Sequence, residues 1–179
     1  AVPGFDRVSR KFEGLAWDGR ELHAIGNVGN REANTFLTSF AVDPATQEIV
    51  GQGRYHDLAG ALGEVTGLGR EPWGQGIKIE ALAALEPGVL LIGLRWTGDG
   101  KARRVYRAVV PPPGSPDLRL QLEPVPAFDA ADLGTAVGGQ DGQWTMEREL
   151  SGFAEPVCNG LLVAVASAAP RGPRVRGGL

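Results

Sequence analysis

An all-β chain of the β-propeller type, carrying about 2.5 blades and one short inserted helix, is what three observations in the sequence predict. The first is an internal repeat. Lys11-Phe12-Glu13-Gly14-Leu15-Ala16 returns 67 positions later as Lys78-Ile79-Glu80-Ala81-Leu82-Ala83, and a further 71 positions on, more weakly, as Glu149-Leu150-Ser151-Gly152-Phe153-Ala154. The second is the segment after each copy: a turn dipeptide, Asp18-Gly19, Pro87-Gly88 or Asn159-Gly160, and then an apolar run of strand length. The third is composition. The 27 Gly and 13 Pro among 179 residues exceed the usual share of turn formers, which argues for many short elements rather than a few long ones.

Taken in order, the runs Leu22-His23-Ala24-Ile25-Gly26, Val89-Leu90-Leu91-Ile92-Gly93 and Leu161-Leu162-Val163-Ala164-Val165 are apolar enough to be covered on both faces, so they read as inner strands. A third strand follows in the first two copies, from Phe36 to Val42 and from Ala102 to Val110, closed by Pro44 and Pro111. Between the two copies, Asp57 reads as an N-cap, with Leu58, Ala61, Leu62 and Val65 on one face of a two-turn amphipathic helix. Pro111-Pro112-Pro113-Gly114-Ser115-Pro116 is a stiff connector, and the alternating Leu118, Leu120 and Leu122 predict an outer strand with its charged partners in water. The expected layout is a first blade over about 11–56, the helix over 57–66, a second blade over about 77–125, a partial third over about 147–168 and a flexible tail over 169–179.

At roughly 69 residues per unit the chain holds about 2.6 units, against about 4–8 blades in closed propellers, so an incomplete propeller is expected. An open arc exposes sheet edges and apolar flanks that missing blades or self-association would cover. The competing architecture is a compact β-sandwich-like domain of about nine strands with a disordered tail.

Composition excludes several function classes. The 18 Lys+Arg against 21 Asp+Glu give a net charge of −3, which argues against a nucleic-acid-binding surface. No window approaches about 18 uninterrupted apolar residues, so no membrane span is expected, and Ala1-Val2-Pro3-Gly4 has neither a charged nor an apolar signal region. Cys158 is the single cysteine, so no internal disulfide forms, and a free thiol without a neighbouring histidine in sequence reads as incidental. There is no Gly-x-Ser-x-Gly elbow, and Gly67-x-Gly69 and Gly74-x-Gly76 lack the Lys-Ser/Thr ending of a phosphate loop. The tryptophans Trp17, Trp73, Trp96 and Trp144 mostly adjoin turns, where packing over loops explains them more simply than ligand stacking.

At Phe12-Glu13-Gly14-Leu15-Ala16-Trp17-Asp18-Gly19, at Ile77-Lys78-Ile79-Glu80-Ala81-Leu82 and at Leu91-Ile92-Gly93-Leu94-Arg95 the chain resembles the phytase-like propeller families. These include the domain described as esterase-like activity of phytase and a related bacterial family with paired "IEGLA … LLIGLR" blades. The resemblance spans about residues 10–110. It implies a propeller, a secreted or periplasmic bacterial setting, and kinship with enzymes that hydrolyse phosphoesters with calcium. Ser151 stands where the first two copies have glutamate, and the acidic clusters of true phytases are not visible in the sequence.

Candidate site residues emerge from the repeat. Glu13 and Glu80 occupy equivalent positions on first strands, so in a propeller both carboxylates project toward the central axis. Such a pair calls for a counter-charge, which Ca²⁺ on carboxylate and carbonyl oxygens would supply, or Lys78 or Arg95 instead. The alternative is that each glutamate bonds backbone N–H groups at the start of its blade. Asn27, in a Gly-rich stretch with Asn30 and Asn34, could add an amide oxygen to a calcium site or serve simply as a turn residue. Arg95 ends an apolar strand, where a guanidinium needs a carboxylate or an anionic ligand, so it and Lys78 are the candidate substrate-binding cations. His23 reads as a packed, hydrogen-bonded strand residue and His56 as solvent-facing. Two functions remain: a calcium-assisted hydrolase of phosphate or carboxylate esters, or a non-catalytic propeller scaffold that binds a protein or a small anionic ligand.

Overall fold

The computed structural model describes residues 10–28, 31–67, 77–97, 105–126, 135–138, 144–147, 149–157 and 161–167. The first sheet is a four-stranded antiparallel meander of β1 (Arg10–Trp17), β2 (Glu21–Val28), β3 (Arg31–Val42) and β4 (Ile49–His56). The second repeats the pattern with β5 (Ile77–Glu86), β6 (Val89–Thr97), β7 (Val105–Val109) and β8 (Gln121–Pro124). Two hairpins come next, β9 (Thr135–Gly138) with β10 (Trp144–Glu147), and β11 (Glu149–Val157) with β12 (Leu161–Ser167). The described residues are therefore mostly β, with one short helix among them, α1 (Leu58–Thr66).

Local chemistry accounts for these boundaries. Gly19 (φ 93°) and Gly88 (φ 77°) take left-handed conformations that a side chain resists, and so turn β1 into β2 and β5 into β6. The Asn159-Gly160 turn lies outside the described residues. The expected strand from Phe36 to Val42 lies within β3, which begins earlier at Arg31; β7 begins at Val105, residues 101–104 lying outside the described set. The expected outer strand at Leu118 begins instead at Gln121, because the backbone before it is diverted: the Leu118 carbonyl turns to the first sheet.

The helix is closed at both ends. Asp57 Oδ1 accepts from the Gly60 N–H at 3.1 Å, and Gly67 (φ 70°) ends it, its N–H reaching the Glu64 carbonyl. Leu58, Ala59, Leu62 and Gly63 are buried against the sheets, whereas Val65, expected on the packed face, is exposed in the last turn. Asp57→Ala removes the cap and should lower stability by about 1 kcal/mol, read as a shifted urea midpoint at unchanged slope.

One irregularity recurs. The β1/β2 ladder pairs Phe12 with Gly26 and Gly14 with Ile25, passing over Glu13. The β5/β6 ladder pairs Ile79 with Leu94 and Ala81 with Gly93, passing over Glu80. The β11/β12 ladder pairs Leu150 with Ala166 and Gly152 with Val165, passing over Ser151. Each first strand thus carries a β-bulge at the repeat-equivalent residue, and a bulge re-aims its extra side chain out of the sheet's alternation.

The sheets stack face to face. Ala16, Ile25 and Leu37 on one face of the first sheet share a core with Leu82, Ile92 and Tyr106 of the second, and Leu58 and Leu62 of α1 close its side. Each fully buried leucine or isoleucine contributes about 1.5–3 kcal/mol. The close approach depends on Gly14, where a Cβ would stand 3.1 Å from Leu82 Cβ and 3.2 Å from Ile25 Cγ1. Strand β5 neighbours both β1 and β11. No helix among the described residues is long and apolar enough to cross a membrane.

Candidate functional site

Two polar regions lie at opposite ends of the first strands. The bulges with Glu13 and Glu80 are near the strand starts, and Asp18 comes just after the end of β1, about 16 Å along the strand at about 3.3 Å per residue.

At the bulges, Glu13 and Glu80 are half-buried, the Oε1 atom of each is shielded from solvent, and each residue is engaged within the chain. Asn27 lies on β2 with Lys11 as its Cα partner, next to the Phe12–Gly26 pair that borders the first bulge. Lys78 pairs with Trp96, and the ladder then steps to Ile79–Leu94, so Arg95 is itself an extra residue on β6. Glu80 and Arg95 therefore flank one residue pair from adjoining strands. The side chains of Asn27, Lys78 and Arg95 lie outside the described residues. Among the described residues, no three His, Cys, Asp or Glu side chains form a group that could hold a metal ion.

At the other end the structure assembles a buried polar chain that the sequence reading did not find. Asp18 is held in its turn by the N–H groups of Arg20 (2.8 Å) and Glu21 (2.7 Å) on Oδ1, while Oδ2 accepts from the Gly88 N–H of the second sheet at 2.7 Å. His23 Nε2 meets the same Oδ2 at 3.0 Å, and His23 Nδ1 meets Ser39 Oγ at 2.9 Å. Ser39 Oγ stands 3.4 Å from His56 Nε2, and His56 Nδ1 donates to the Leu118 carbonyl at 3.0 Å. Strand register explains the assembly: His23 is directly opposite Ser39, and His56 is opposite Leu37, two residues from Ser39 on the same face. Beside them Arg54 joins Glu21 to the Pro111 carbonyl. Three bonds, from Asp18, Arg54 and His56, thus tie the first sheet to the second.

His23 is packed and hydrogen-bonded, as the sequence implied. His56 is not solvent-facing but 1% exposed, and at the end of β4 it meets the Leu118 carbonyl.

Counting hydrogens shows what these groups can do. The Asp18 carboxylate and the Leu118 carbonyl only accept, so His23 carries a hydrogen on Nε2 and His56 one on Nδ1. With both rings neutral, His23 Nδ1 accepts from the Ser39 hydroxyl, and no hydrogen remains between Ser39 Oγ and His56 Nε2. That contact is the longest of the series. Burial is the main reason that the His56 pKa falls below the ordinary histidine value; the Leu118 carbonyl opposes this, while Arg54 and His23 add to it. For Asp18, burial pushes upward, but the bonds from His23 and from the Glu21, Gly88 and Arg20 amides outweigh it and hold the carboxyl at about 2. Aspartate, histidine and serine are the residue types of an acyl-transfer centre, yet Ser39 is 0% exposed, so no substrate reaches its hydroxyl. The polar chain works as a clasp between sheets.

No known protein family matches this chain, and neither a curated protein nor a solved structure does. The signal that could have revealed part of the clasp was the placement of His23 within a strand-like run, where a buried imidazole needs partners on both nitrogens.

Proposed function

We propose that the chain is a phytase-like, propeller-type scaffold that binds a protein or a small anionic ligand at the end of its first strands. The observation that carries this reading is the alignment of Glu13, Glu80 and Ser151 as the bulged residues of β1, β5 and β11. Blades ranged about an axis present such equivalent positions as a ring around it, with Lys78 and Arg95 at the same end of the strands to attract an anion. The use of Asp18, His23, Ser39 and His56 in joining sheets supports a scaffold over an enzyme built on those groups.

A second reading, calcium-assisted hydrolysis of a phosphate or carboxylate ester, draws support from the shielded Oε1 atoms of the two glutamates. Glu13, Glu80 and Asn27 would then be the ligands, Arg95 and Lys78 would hold the anion, and calcium would supply charge stabilisation and an activated water. Thermal unfolding in Ca²⁺ and then in chelator, run beside phosphomonoester turnover, separates the two. The scaffold predicts one melting temperature in both and no turnover. A calcium-dependent rise in melting temperature that Glu13→Gln abolishes, together with turnover that calcium restores, would replace it with the hydrolase.

A further inference from the structure

The polar chain between the sheets has more contacts than hydrogens. Its four contacts run from Asp18 to His23, from His23 to Ser39, from Ser39 to His56 and from His56 to the Leu118 carbonyl. Two neutral imidazoles and one hydroxyl supply three hydrogens. Both ends of the chain only accept, so turning either ring to its other tautomer moves the shortfall along the chain without removing it. The inner nitrogens, His23 Nδ1 and His56 Nε2, compete for the one Ser39 hydrogen at 2.9 and 3.4 Å. His23 and Ser39 are fully buried and His56 nearly so, and bulk water does not complete the contact.

A single added proton does. When it enters at His23 Nδ1, the ring becomes an imidazolium that donates to Asp18 on one side and to Ser39 Oγ on the other. Ser39 then turns its hydroxyl to His56 Nε2, His56 stays neutral, and every contact holds one hydrogen. Placing the proton on His56 instead, with Ser39 still donating to His23, fills the same contacts, so the surrounding charges choose. The Asp18 carboxylate meets His23 at 3.0 Å. Arg54, on the same strand as His56, opposes a cation there, and Glu21 of β2, which would favour one, is already paired with Arg54. From β3 His56 meets only the uncharged Ser39, and from the β7–β8 connection a backbone carbonyl. Asp57, Glu64 of α1, Asp117 and Arg119 are exposed to solvent. A second proton finds no acceptor, because Ser39 Oγ would face two ring N–H groups with its own hydrogen left over.

We propose that the clasp between the sheets is a one-proton switch, in which a proton bound at His23 reverses the Ser39 hydroxyl and closes its contact with His56. The proton comes from solvent, no covalent bond other than its own is made or broken, and the buried chain passes from one negative charge to none. The link that His56 makes to the Leu118 carbonyl is thereby completed back to Asp18 only in the protonated form.

Nitrogen–proton correlation spectra of the imidazoles, recorded on the full chain as pH is lowered, test this. The expected result is that His23 acquires hydrogens on both nitrogens while His56 keeps one, on Nδ1. The His56 Nε2 signal should shift at the same midpoint as His23, as Ser39 begins to donate to it. Asp18→Asn supplies the missing hydrogen without charge, so its His56 Nε2 signal should stand at the low-pH position already at neutral pH, and His23 should no longer titrate in the folded chain. In Ser39→Ala the His56 Nε2 signal should stay put while His23 titrates; were that variant not to fold, the wild type and Asp18→Asn decide. Two imidazolium rings in the folded chain would overturn the proposal, as would a proton gained by His56 alone, separate midpoints in the wild type, or unfolding before either ring titrates.

Discussion

Asp18→Ala is expected to destabilise the fold by about 3–5 kcal/mol, because several donors lose their acceptor at about 1–3 kcal/mol for each that is buried. The carboxylate accepts from three backbone amides and from His23, and one of those amides, Gly88, belongs to the other sheet. Truncation strands all four donors, the Glu21 amide and His23 in buried surroundings and the Arg20 and Gly88 amides in part-buried ones. Against a typical total of about 5–15 kcal/mol the loss is a large fraction, visible in a urea titration at room temperature. Asp18→Asn should cost less, about 1–3 kcal/mol. With its oxygen kept on the Arg20 and Glu21 amides, its NH₂ faces Gly88 and His23. His23 can then carry its hydrogen on Nδ1, accept from the new amide on Nε2 and let Ser39 donate to His56, which leaves only the Gly88 N–H without an acceptor. Equal losses in the two variants would show that the histidine chain does not reorganise in this way.

The same groups set the acid response. Below pH of about 6.5 the unfolded chain protonates His56 while the folded chain resists, so stability falls as pH drops toward the lowered folded value. Asp18 adds a second decline: its contribution, about 2 kcal/mol, is complete above the unfolded value near 3.8 and is lost as pH falls through about 2. Unfolding free energy measured against pH should show both arms. Asp18→Asn should delete the lower one alone, and His56→Asn the upper one.

Gly14→Val is expected to lower stability by about 1–3 kcal/mol by forcing β1 and β5 apart. A Cβ at this position already meets Leu82 Cβ and Ile25 Cγ1 at 3.1 and 3.2 Å, and the γ-methyls of valine have no room beyond it. Neither neighbour can withdraw cheaply, since Ile25 is fully buried and Leu82 nearly so. Leu82→Ala in the Gly14→Val background should restore part of the loss, because it removes the atoms that clash. A double-mutant cycle with no coupling would mean that the two sheets do not meet at this point.

Much of the architecture was legible because its causes are local. The hairpins arise from apolar runs broken by Asp18-Gly19 and Pro87-Gly88, and α1 from Asp57 and the spacing of Leu58 and Leu62. The repeat aligned Glu13 with Glu80 and Ser151, and the bulges fall on those residues. Strand β4 was not singled out in the sequence: Ile49-Val50-Gly51-Gln52-Gly53-Arg54-Tyr55-His56 has two glycines and no sustained alternation, and it pairs because β3 offers it an edge. His56 was misread for the same reason. Its neighbour Asp57 is a solvent-side cap, and nothing nearby announces that the Leu118 carbonyl will meet the imidazole.

The first two hairpins with their turns and the helix with its Asp57 cap were written into the order of residues, since each depends on positions close together. Which polar groups meet was settled only when the sheets stacked. Asp18 finds Gly88 at a separation of 70 residues, Arg54 finds Pro111 at 57 and His56 finds Leu118 at 62. The physical reason is that backbone carbonyls and amides are present at nearly every position, so residue type does not mark the partner; the stacking of one sheet on the next chooses it.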